Sequence, residues 1–229
     1  MSKETKKLLD SFEYAKSIGY SEQDMKSVPA EVAETHGCGN PTALAQMKEG
    51  QVILDIGCGG GLDVFLAAQK VGPKGKVIGL DISPEKIRKA ADCAIKGDYK
   101  NIVFQIAKME NIPIPQDFID IVISNCVINH SPDKLAVFKE AYRVLKPYGR
   151  MFISDLVTAG KFTEHDLQSM DKIWADWLTV ALDRQVYLGA IKEAGFQTIT
   201  VLAEGTFPMA EANNILKGKI LSLQIKGIK

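Results

Sequence analysis

The sequence is poor in cysteine, in net charge and in long apolar runs. Its 229 residues include four cysteines, three histidines, 28 basic and 28 acidic side chains. Without a basic excess, the chain lacks the general positive surface that binds nucleic acid, so no nucleic-acid partner is predicted. No apolar run reaches the roughly 20 residues of a membrane helix, and the first residues are charged rather than apolar. A cytoplasmic protein with no membrane partner is therefore expected.

The cysteines do not form a C-x-x-C pair, which disfavours a structural zinc site of the usual spacing. In a cytoplasmic protein, reduced thiols are the default over disulfides. Cys58 lies in a glycine-rich turn and Cys93 on a predicted helix, and both are interpreted as small packing residues. Cys38 and Cys126 remain as candidates for chemistry.

The chain does contain a strand, a glycine turn and a helix in direct succession. The apolar run at 52–56 is typical of a strand buried on both faces, and it includes Asp55. Gly57, Gly59 and Gly61 follow, and an apolar helical pattern comes next. Glycines at such a turn let the backbone approach a ligand closely, and the helix start presents unpaired N–H groups. The segment predicts a ligand site.

A second predicted strand at 76–80 ends at Asp81, twenty residues after Gly61. An acidic side chain at the tip of the second strand can accept hydrogen bonds from both hydroxyls of a ribose. A turn that only reversed the chain would not explain this acid. The two features together predict a ligand that contains a nucleoside.

Strands and helices alternate along most of the chain. Further strands are predicted at 101–106, 118–125, 149–155, 197–203 and 220–228, and helices at 85–96, 131–145, from 163 onwards and at 185–194. The last two strands leave no room for a crossover helix of normal size, so they are expected to pair antiparallel. The predicted fold class is α/β, with a doubly wound, seven-stranded, mostly parallel sheet that has an antiparallel last strand.

Some fifty residues precede the first strand of the sheet. They carry an amphipathic helix at 3–18, a short helix from residue 21 and a helix at 42–48. They are too few for a separate domain. A single domain is therefore predicted, in which residues 1–50 form a helical lid over the ligand site and residues 51–229 form the core.

The D-x-G-x-G-x-G turn at 55–61, followed by a strand that ends in Asp81, resembles the class I S-adenosylmethionine-dependent methyltransferases. The resemblance implies a Rossmann-like fold, methyltransferase activity and S-adenosylmethionine as cofactor. It also implies that the glycine backbone faces the amino acid end of the cofactor and that Asp81 holds the ribose. Ile82 and Met109 would enclose the adenine between them.

The same resemblance completes the predicted cofactor site with residues at the other strand ends. Asp55 lies at the end of the first strand. Glu110 follows the third strand, and Asn125 ends the fourth. Many relatives place an acid after the third strand to accept the adenine amino group, but this sequence has Lys108. Backbone groups of Met109 are expected to take over that contact.

Two further motifs narrow the resemblance. Gly37-Cys-Gly-Asn-Pro41 precedes the first strand, and Ser124-Asn-Cys-Val-Ile-Asn129 ends the fourth. Together they closely resemble the arsenite methyltransferases over about residues 35 to 155, which implies methyl transfer to thiol-bound trivalent arsenic. Arsenic in this state is a soft acceptor of thiolates, and its lone pair needs positioning rather than a general base. Cys38 and Cys126 are the predicted catalytic residues and arsenic ligands.

The resemblance is incomplete at the third thiol of the family. No cysteine follows Cys126, and the family position falls near Trp177, before Thr179-Val-Ala-Leu182. Two cysteines do not supply a site of three thiolates, which disfavours arsenite as the first acceptor. Methylarsenite needs only two thiols.

Two of the three histidines flank the candidate cysteines in the sequence. We hypothesise that His36, Cys38, Cys126 and His130 line one pocket that binds a soft or borderline ion, arsenic or zinc. The alternative interpretation is that the histidines are surface or capping residues.

Two other functions stay open. A methyltransferase of this fold can act on a small organic molecule, as in the related quinone and sterol C-methyltransferases. The missing thiol favours that reading, as do Trp174 and Trp177, which could line an apolar pocket or simply pack in the core. The other is a non-catalytic protein that holds the cofactor or senses a metalloid. The sequence allows a monomer or a homodimer.

Overall fold

The computed structural model describes residues 11–33, 35–160, 162–169, 172–207, 210 and 213–229. The strands are β1 Val52–Ile56, β2 Lys76–Asp81, β3 Ile102–Ile106, β4 Ile119–Asn125, β5 Leu145–Thr158, β6 Thr198–Thr206 and β7 Ile220–Ile228. They form one seven-stranded sheet in the order β3-β2-β1-β4-β5-β7-β6. The first five strands run parallel to one another, and β7 is antiparallel to both β5 and β6. The predicted α/β sheet and its antiparallel closing pair are confirmed.

Helices cover both faces of this sheet. They are α1 Ser11–Ser17, α2 Glu22–Ser27, α3 Pro41–Leu44, α4 Leu62–Val71, α5 Pro84–Lys96, α6 Lys134–Val144, α7 Glu164–Ser169, α8 Lys172–Leu178 and α9 Arg184–Glu193. Short 3₁₀ turns lie at Ala30–Val32 and Ile128–His130. None of these described helices is long and apolar enough to cross a membrane.

Adjacent residues of the central strands belong to different apolar clusters, since successive side chains of a strand point to opposite faces. Leu54 packs in a cluster with residues of α6 and α9. Its neighbour Ile53 packs instead with Val64 and Ala67 of α4. All of these side chains are fully buried, which explains why β1 is apolar along its length.

The helix predicted at 42–48 is shorter than expected. The Asn40 side chain caps its start, since Oδ1 accepts a hydrogen bond from the Ala43 N–H at 3.0 Å. The helix ends at Leu44 because Gln46 has φ of 44°, outside the right-handed helical region. Of the helix predicted at 3–18, the structure describes only α1, and residues 1–10 lie outside the described part.

The fifth strand is longer than predicted, and the preceding helix ends one residue earlier. After Val144 the chain passes directly into β5, which includes Pro147. Tyr148 adopts φ of 63°, and the pairing of β5 with β4 shifts register between Ile119 and Ile121. An irregular strand of this kind has no period-2 signal, so the sequence pattern marked only its regular part.

The N-terminal segment packs against α4 rather than standing apart. Tyr14, Tyr20 and Val32 share one buried cluster with Phe65 and Leu66 of that helix. This segment carries the 37–39 loop over β4 and β5. A Cβ atom added to Gly37 would collide with Asn125 of β4, and one added to Gly39 would collide with Ser154 of β5. The lid role of residues 1–50 remains a prediction.

Candidate active site

A groove of about 350 Å³ opens at the carboxyl ends of the strands. It lies where the strand order reverses between β1 and β4, which is the usual ligand position of a doubly wound sheet. Its lining residues are Gly57, Leu80, Asp81, Ile82, Ala107, Lys108, Met109, Glu110, Val127 and Pro132. The lining includes five residues predicted for the cofactor: Gly57, Asp81, Ile82, Met109 and Glu110.

The glycine turn leaves open space beside the groove. Gly57 has φ of 73°, and a Cβ there would lie 2.5 Å from a methyl group of Val127, so this position requires glycine. At Gly59 and Gly60, in contrast, a Cβ would meet nothing within 4 Å. Gly61 caps α4 with φ of 98°. The turn therefore presents backbone with room in front of it, as a bound ligand requires.

Asp81 is fixed by two backbone N–H groups. Its Oδ2 accepts from Gly59 N and its Oδ1 from Ser83 N, both at 2.9 Å. A carboxylate oxygen has two acceptor sites, so each oxygen keeps one for a ribose hydroxyl. The side chain is buried but lines the groove.

The far part of the groove has apolar surfaces next to polar ones. Ile82 is 65% exposed although it is a large apolar side chain, and Met109 lines the same groove. Together they offer the flat apolar contacts that an adenine ring prefers. Glu110 accepts a hydrogen bond from the Ser131 hydroxyl, while Lys108 is exposed at the rim.

Buried carboxyl groups lie behind the glycine turn. Burial, followed by the nearby charges of Asp63 and Asp81, raises the pKa of Asp55 well above its usual value. Burial also raises the pKa of Asp63 to about 6, against hydrogen bonds from Tyr20 and Asn125 that lower it. A concentration of acids at this position favours a cationic ligand.

Cys38 and Cys126, the two predicted thiols, come together in the fold. Their Sγ atoms and a carboxylate oxygen of Asp155 all lie within 4.8 Å of one another. Cys38 is buried on the 37–39 loop, and its carbonyl accepts from the Ser222 hydroxyl at 2.7 Å. Cys126 is half-buried, has φ of 57°, and donates its N–H to Ser154 O at 2.8 Å.

Burial, and next a hydrogen bond with Cys126, raises the pKa of the Cys38 thiol well above its usual value. The apolar cluster around Cys38 explains the burial, because it includes Tyr14 and Leu156 and is lined by Trp177. Cys38 is therefore a neutral thiol near pH 7 in the free protein. Any ligand that binds through its sulfur has to displace or carry away a proton.

Asp155 is a member of this cluster that the sequence reasoning missed. Its Oδ1 accepts from Asn129 Nδ2 at 3.0 Å and from Leu156 N at 2.8 Å, and its Oδ2 accepts from the Tyr187 hydroxyl at 2.8 Å. The side chain is 1% exposed, and burial raises its pKa to about 6. The available signal was a lone acid at the predicted end of an apolar strand.

The structure does not bring His36 and His130 into this cluster. Both histidines are exposed, and the group of ligating atoms found among the described residues contains Cys38, Cys126 and Asp155 instead. Of the four residues predicted to line one pocket, Cys38 and Cys126 lie together, and His36 and His130 do not join them. His130 ends the 3₁₀ turn Ile128–His130 and is exposed, so its closeness to Cys126 in the sequence does not bring it to the thiol.

Asn125 connects the N-terminal loop to the sheet. Its Oδ1 accepts from Cys38 N at 2.9 Å, and its Nδ2 donates to Gly39 O at 2.8 Å and to the Tyr20 hydroxyl at 2.9 Å. A Cβ at Gly37 would lie only 2.3 Å from this amide. Asn125 is predicted as a cofactor contact, whereas its hydrogen bonds here join it to the Cys38 loop, Tyr20 and Asp63.

The tryptophans differ in what the structure describes. Trp177 is half-buried and packs against the cluster that contains Cys38. It occupies the region where the third thiol of the resembled family was expected. The side chain of Trp174 lies outside the described part of the structure.

Comparison with known proteins identifies the family. Residues 47–205 match the methyltransferase domain family. The chain is 40% identical over 184 residues to the arsenite methyltransferase of Halobacterium salinarum, covering 80% of this chain and 47% of that protein. It is 34% identical over 161 residues to the arsenite methyltransferase of Aquipseudomonas alcaligenes, covering 67% and 46%. The chain thus spans about half the length of the curated relatives that it matches.

A solved structure supports the same relationship. The arsenic(III) S-adenosylmethionine methyltransferase of Chlamydomonas reinhardtii superimposes with a TM-score of 0.78 at 30% identity, covering 94% of this chain and 73% of that one. The chain belongs to the S-adenosylmethionine-dependent methyltransferases, in the methyltransferase domain family. Within that class it resembles the arsenite methyltransferases.

S-adenosylmethionine is the cofactor of this class, and the described residues fit it. The space in front of Gly59 and Gly60 would take its amino acid end, and Asp81 keeps two acceptor sites for its ribose. Ile82 and Met109 provide apolar contact for its adenine. The sulfonium and ammonium charges of the cofactor suit the buried acids behind the turn.

Proposed function

We propose that this protein transfers a methyl group from S-adenosylmethionine to thiol-bound trivalent arsenic, with methylarsenite as the acceptor. One observation carries the proposal. The sulfur atoms of Cys38 and Cys126, 88 positions apart in the sequence, lie within 4.8 Å of each other. Cys126 directly follows β4, beside the groove that suits the cofactor.

The two thiols match the chemistry of methylarsenite, which carries one methyl and two hydroxyl groups on arsenic. Each exchange of a hydroxyl for a cysteine sulfur forms one As–S bond and releases one water. The thiol proton leaves with the hydroxyl, so Cys38 does not need to ionise first. This agrees with the raised pKa of its buried thiol. Arsenite would keep one hydroxyl, because the described cluster contains no cysteine besides Cys38 and Cys126.

Bound S-adenosylmethionine supplies an electrophilic methyl group on a sulfonium. Cys38 and Cys126 hold arsenic by two sulfurs and leave its lone pair free, so their contribution is positioning. Cys38 and Cys126 would hold the arsenic lone pair toward that methyl group: the lone pair would form the As–C bond, the sulfonium sulfur would keep the electrons of the broken S–C bond, the positive charge would pass to arsenic, and no proton would be removed. A general base is therefore not required, and the cysteines do not have to titrate during the transfer.

The N-terminal segment is proposed to close over this site as a lid. The Tyr14 hydroxyl donates to Gly37 O, and the Tyr20 hydroxyl donates to both oxygens of Asp63 at 2.8 and 2.9 Å. These contacts place the Cys38 loop against the glycine-turn helix. Exclusion of water from the thiols would protect the As–S bonds during methyl transfer.

Release of S-adenosylhomocysteine tests the proposal directly. The reduced full chain would be supplied with methylarsenite, arsenite or no acceptor, and the same assays run on Cys38→Ser, Cys126→Ser and Cys93→Ser. Cys93 is the matched control, because it is also a buried thiol but lies on α5. We expect turnover with methylarsenite at least tenfold faster than with arsenite, a loss of at least a hundredfold in the two site variants, and little change in Cys93→Ser.

Three results would count against the proposal. Methylarsenite turnover that persists in Cys126→Ser would remove the thiol site from the reaction. Cysteine-independent turnover of a small quinol would point to an organic acceptor, and cofactor binding without turnover of any acceptor would point to a binding protein.

A further inference from the structure

Three potential metal ligands converge from three separate elements. Cys38 comes from the 37–39 loop, Cys126 from the turn after β4, and Asp155 from β5. One ligating atom from each lies within 4.8 Å of the others. Tetrahedral zinc with bonds of about 2.0–2.3 Å holds its ligand atoms roughly 4 Å apart or less, so only a small contraction is needed.

Asp155 forms no direct ion pair with a described cation, and the charge that acts on it from the described residues is the more distant ammonium of Lys134. No lysine, arginine or histidine nitrogen described here lies within the 4.0 Å of an ion pair to it, although it is 1% exposed. Buried carboxylates are normally paired with a cation or bound to a metal. The two thiols on one side therefore face an acid that an added cation would neutralise.

The surroundings of Asp155 are those of an oriented ligand. Asn129, Leu156 and Tyr187 each donate one hydrogen bond to its carboxylate. Such outer contacts fix the direction of a carboxylate and are typical of metal ligands. Asn129 also has a buried Oδ1 atom without a hydrogen-bond partner, which leaves an acceptor for a metal-bound water.

We propose that Cys38, Cys126 and Asp155 form a three-ligand site for one borderline divalent cation, Zn²⁺, with water in the fourth position. Thiolate sulfur and carboxylate oxygen are both ordinary zinc ligands, and three protein ligands with one open position is a recurrent arrangement. Binding forms two Zn–S bonds and one Zn–O bond and releases the two thiol protons to solvent. No oxidation or reduction takes place.

The carboxylate distinguishes this site from the arsenic site. Methylarsenite is satisfied by two sulfurs, whereas the divalent cation uses the oxygen of Asp155 as well. Asp155→Asn should therefore weaken Zn²⁺ while leaving methylarsenite binding to the thiols unchanged. If the proposed function holds, Zn²⁺ also competes with the acceptor, because both take Cys38 and Cys126.

Cadmium provides a spectroscopic probe, because Cd–thiolate bonds absorb in the near ultraviolet. The reduced, chelator-treated full chain would be titrated with Cd²⁺ and then displaced with Zn²⁺, in parallel with Asp155→Asn, Cys126→Ser and the control Cys93→Ser. We expect one Cd²⁺ per wild-type chain and per Cys93→Ser chain. Affinity should fall at least tenfold in Asp155→Asn and at least a hundredfold in Cys126→Ser.

Wild-type affinity in Asp155→Asn would overturn the site, as would a cadmium stoichiometry that drops in Cys93→Ser but not in Cys126→Ser. If Asp155→Asn does not fold, X-ray absorption of the zinc-loaded wild type decides: two sulfur and two lighter neighbours support the site, and any other sulfur count contradicts it. None of these measurements uses methyl transfer, so an inactive enzyme would leave them readable.

Discussion

The backbone N–H of Cys38 donates a hydrogen bond to Oδ1 of Asn125 at 2.9 Å, across 87 positions of the sequence. The next residue along the chain from Asn125 is Cys126. One side chain at the end of β4 therefore fixes the loop that carries the first thiol beside the second. The closeness of the two sulfurs is therefore expected to depend on this amide.

Replacing Asn125 with alanine should separate the thiols. The variant loses the hydrogen bonds to Cys38 and Gly39 and leaves the Cys38 N–H without its partner. We expect methyl transfer to methylarsenite to fall at least tenfold and the free energy of unfolding to fall by about 1–3 kcal/mol. Both are read from S-adenosylhomocysteine release and denaturant unfolding.

Asn101→Ala is the matched control for that variant. Its Nδ2 donates to the carbonyls of Ala68 and Gly72, both at 2.9 Å, at the other end of the sheet. It should lose similar stability with little loss of turnover. Equal losses of activity in the two variants would show that Asn125 acts only through stability.

Replacing Asp81 with asparagine should weaken cofactor binding. The asparagine side chain accepts only on its oxygen, so it loses the hydrogen bond from Gly59 N–H or from Ser83 N–H together with one acceptor site for a ribose hydroxyl. We expect affinity for S-adenosylhomocysteine, measured by calorimetry, to fall at least tenfold and the free energy of unfolding of the free protein to fall by about 1–3 kcal/mol. Asp98→Asn, at an exposed loop position, should bind like the wild type. Unchanged affinity in Asp81→Asn would place the ribose elsewhere.

Stability should depend on pH through Asp63. Burial raises its pKa from the ordinary 3.8 to about 6, so the folded protein binds the proton more tightly than the unfolded chain. The contribution of Asp63 to the free energy of unfolding is fully present below pH 4 and is lost as the pH rises through 6. Relative to wild type, Asp63→Asn should gain up to about 3 kcal/mol of unfolding free energy between pH 4 and pH 7. Parallel pH profiles from denaturant unfolding would contradict this assignment.

Arg143 should support the adenine side of the groove from outside it. Its guanidinium donates to the carbonyls of Ile112 and Ile114 at 2.9 and 2.8 Å and to Glu140, which holds the segment after Met109. Lysine cannot reproduce this fork. Arg143→Lys should lower cofactor affinity several-fold and unfolding free energy by about 1–2 kcal/mol.

Arg184→Lys is the control for Arg143→Lys. Arg184 forms an ion pair with Glu204, and neither residue is among those that line the groove. It should bind S-adenosylhomocysteine with wild-type affinity. Unaltered affinity in both variants would separate Arg143 from the cofactor site.

Local sequence patterns predicted the succession of strands and helices along the chain. The run at 52–56, its glycine turn and Asp81 reappear in one groove, because parallel strands end at the same edge of the sheet. The patterns failed where local geometry departs from a regular period. Gln46 adopts a positive φ and ends α3 early, and Tyr148 breaks the regularity of β5.

The sequence by itself determined the sheet, the glycine turn and the acid beyond it, because these depend on periodicity and short spacing. Only the tertiary structure decided that Asp155, and not a histidine, joins Cys38 and Cys126. It alone also made Asn125 the link between loop and strand. Such contacts join residues far apart in the chain, and the packing of the N-terminal segment, which no local pattern encodes, sets which side chains meet.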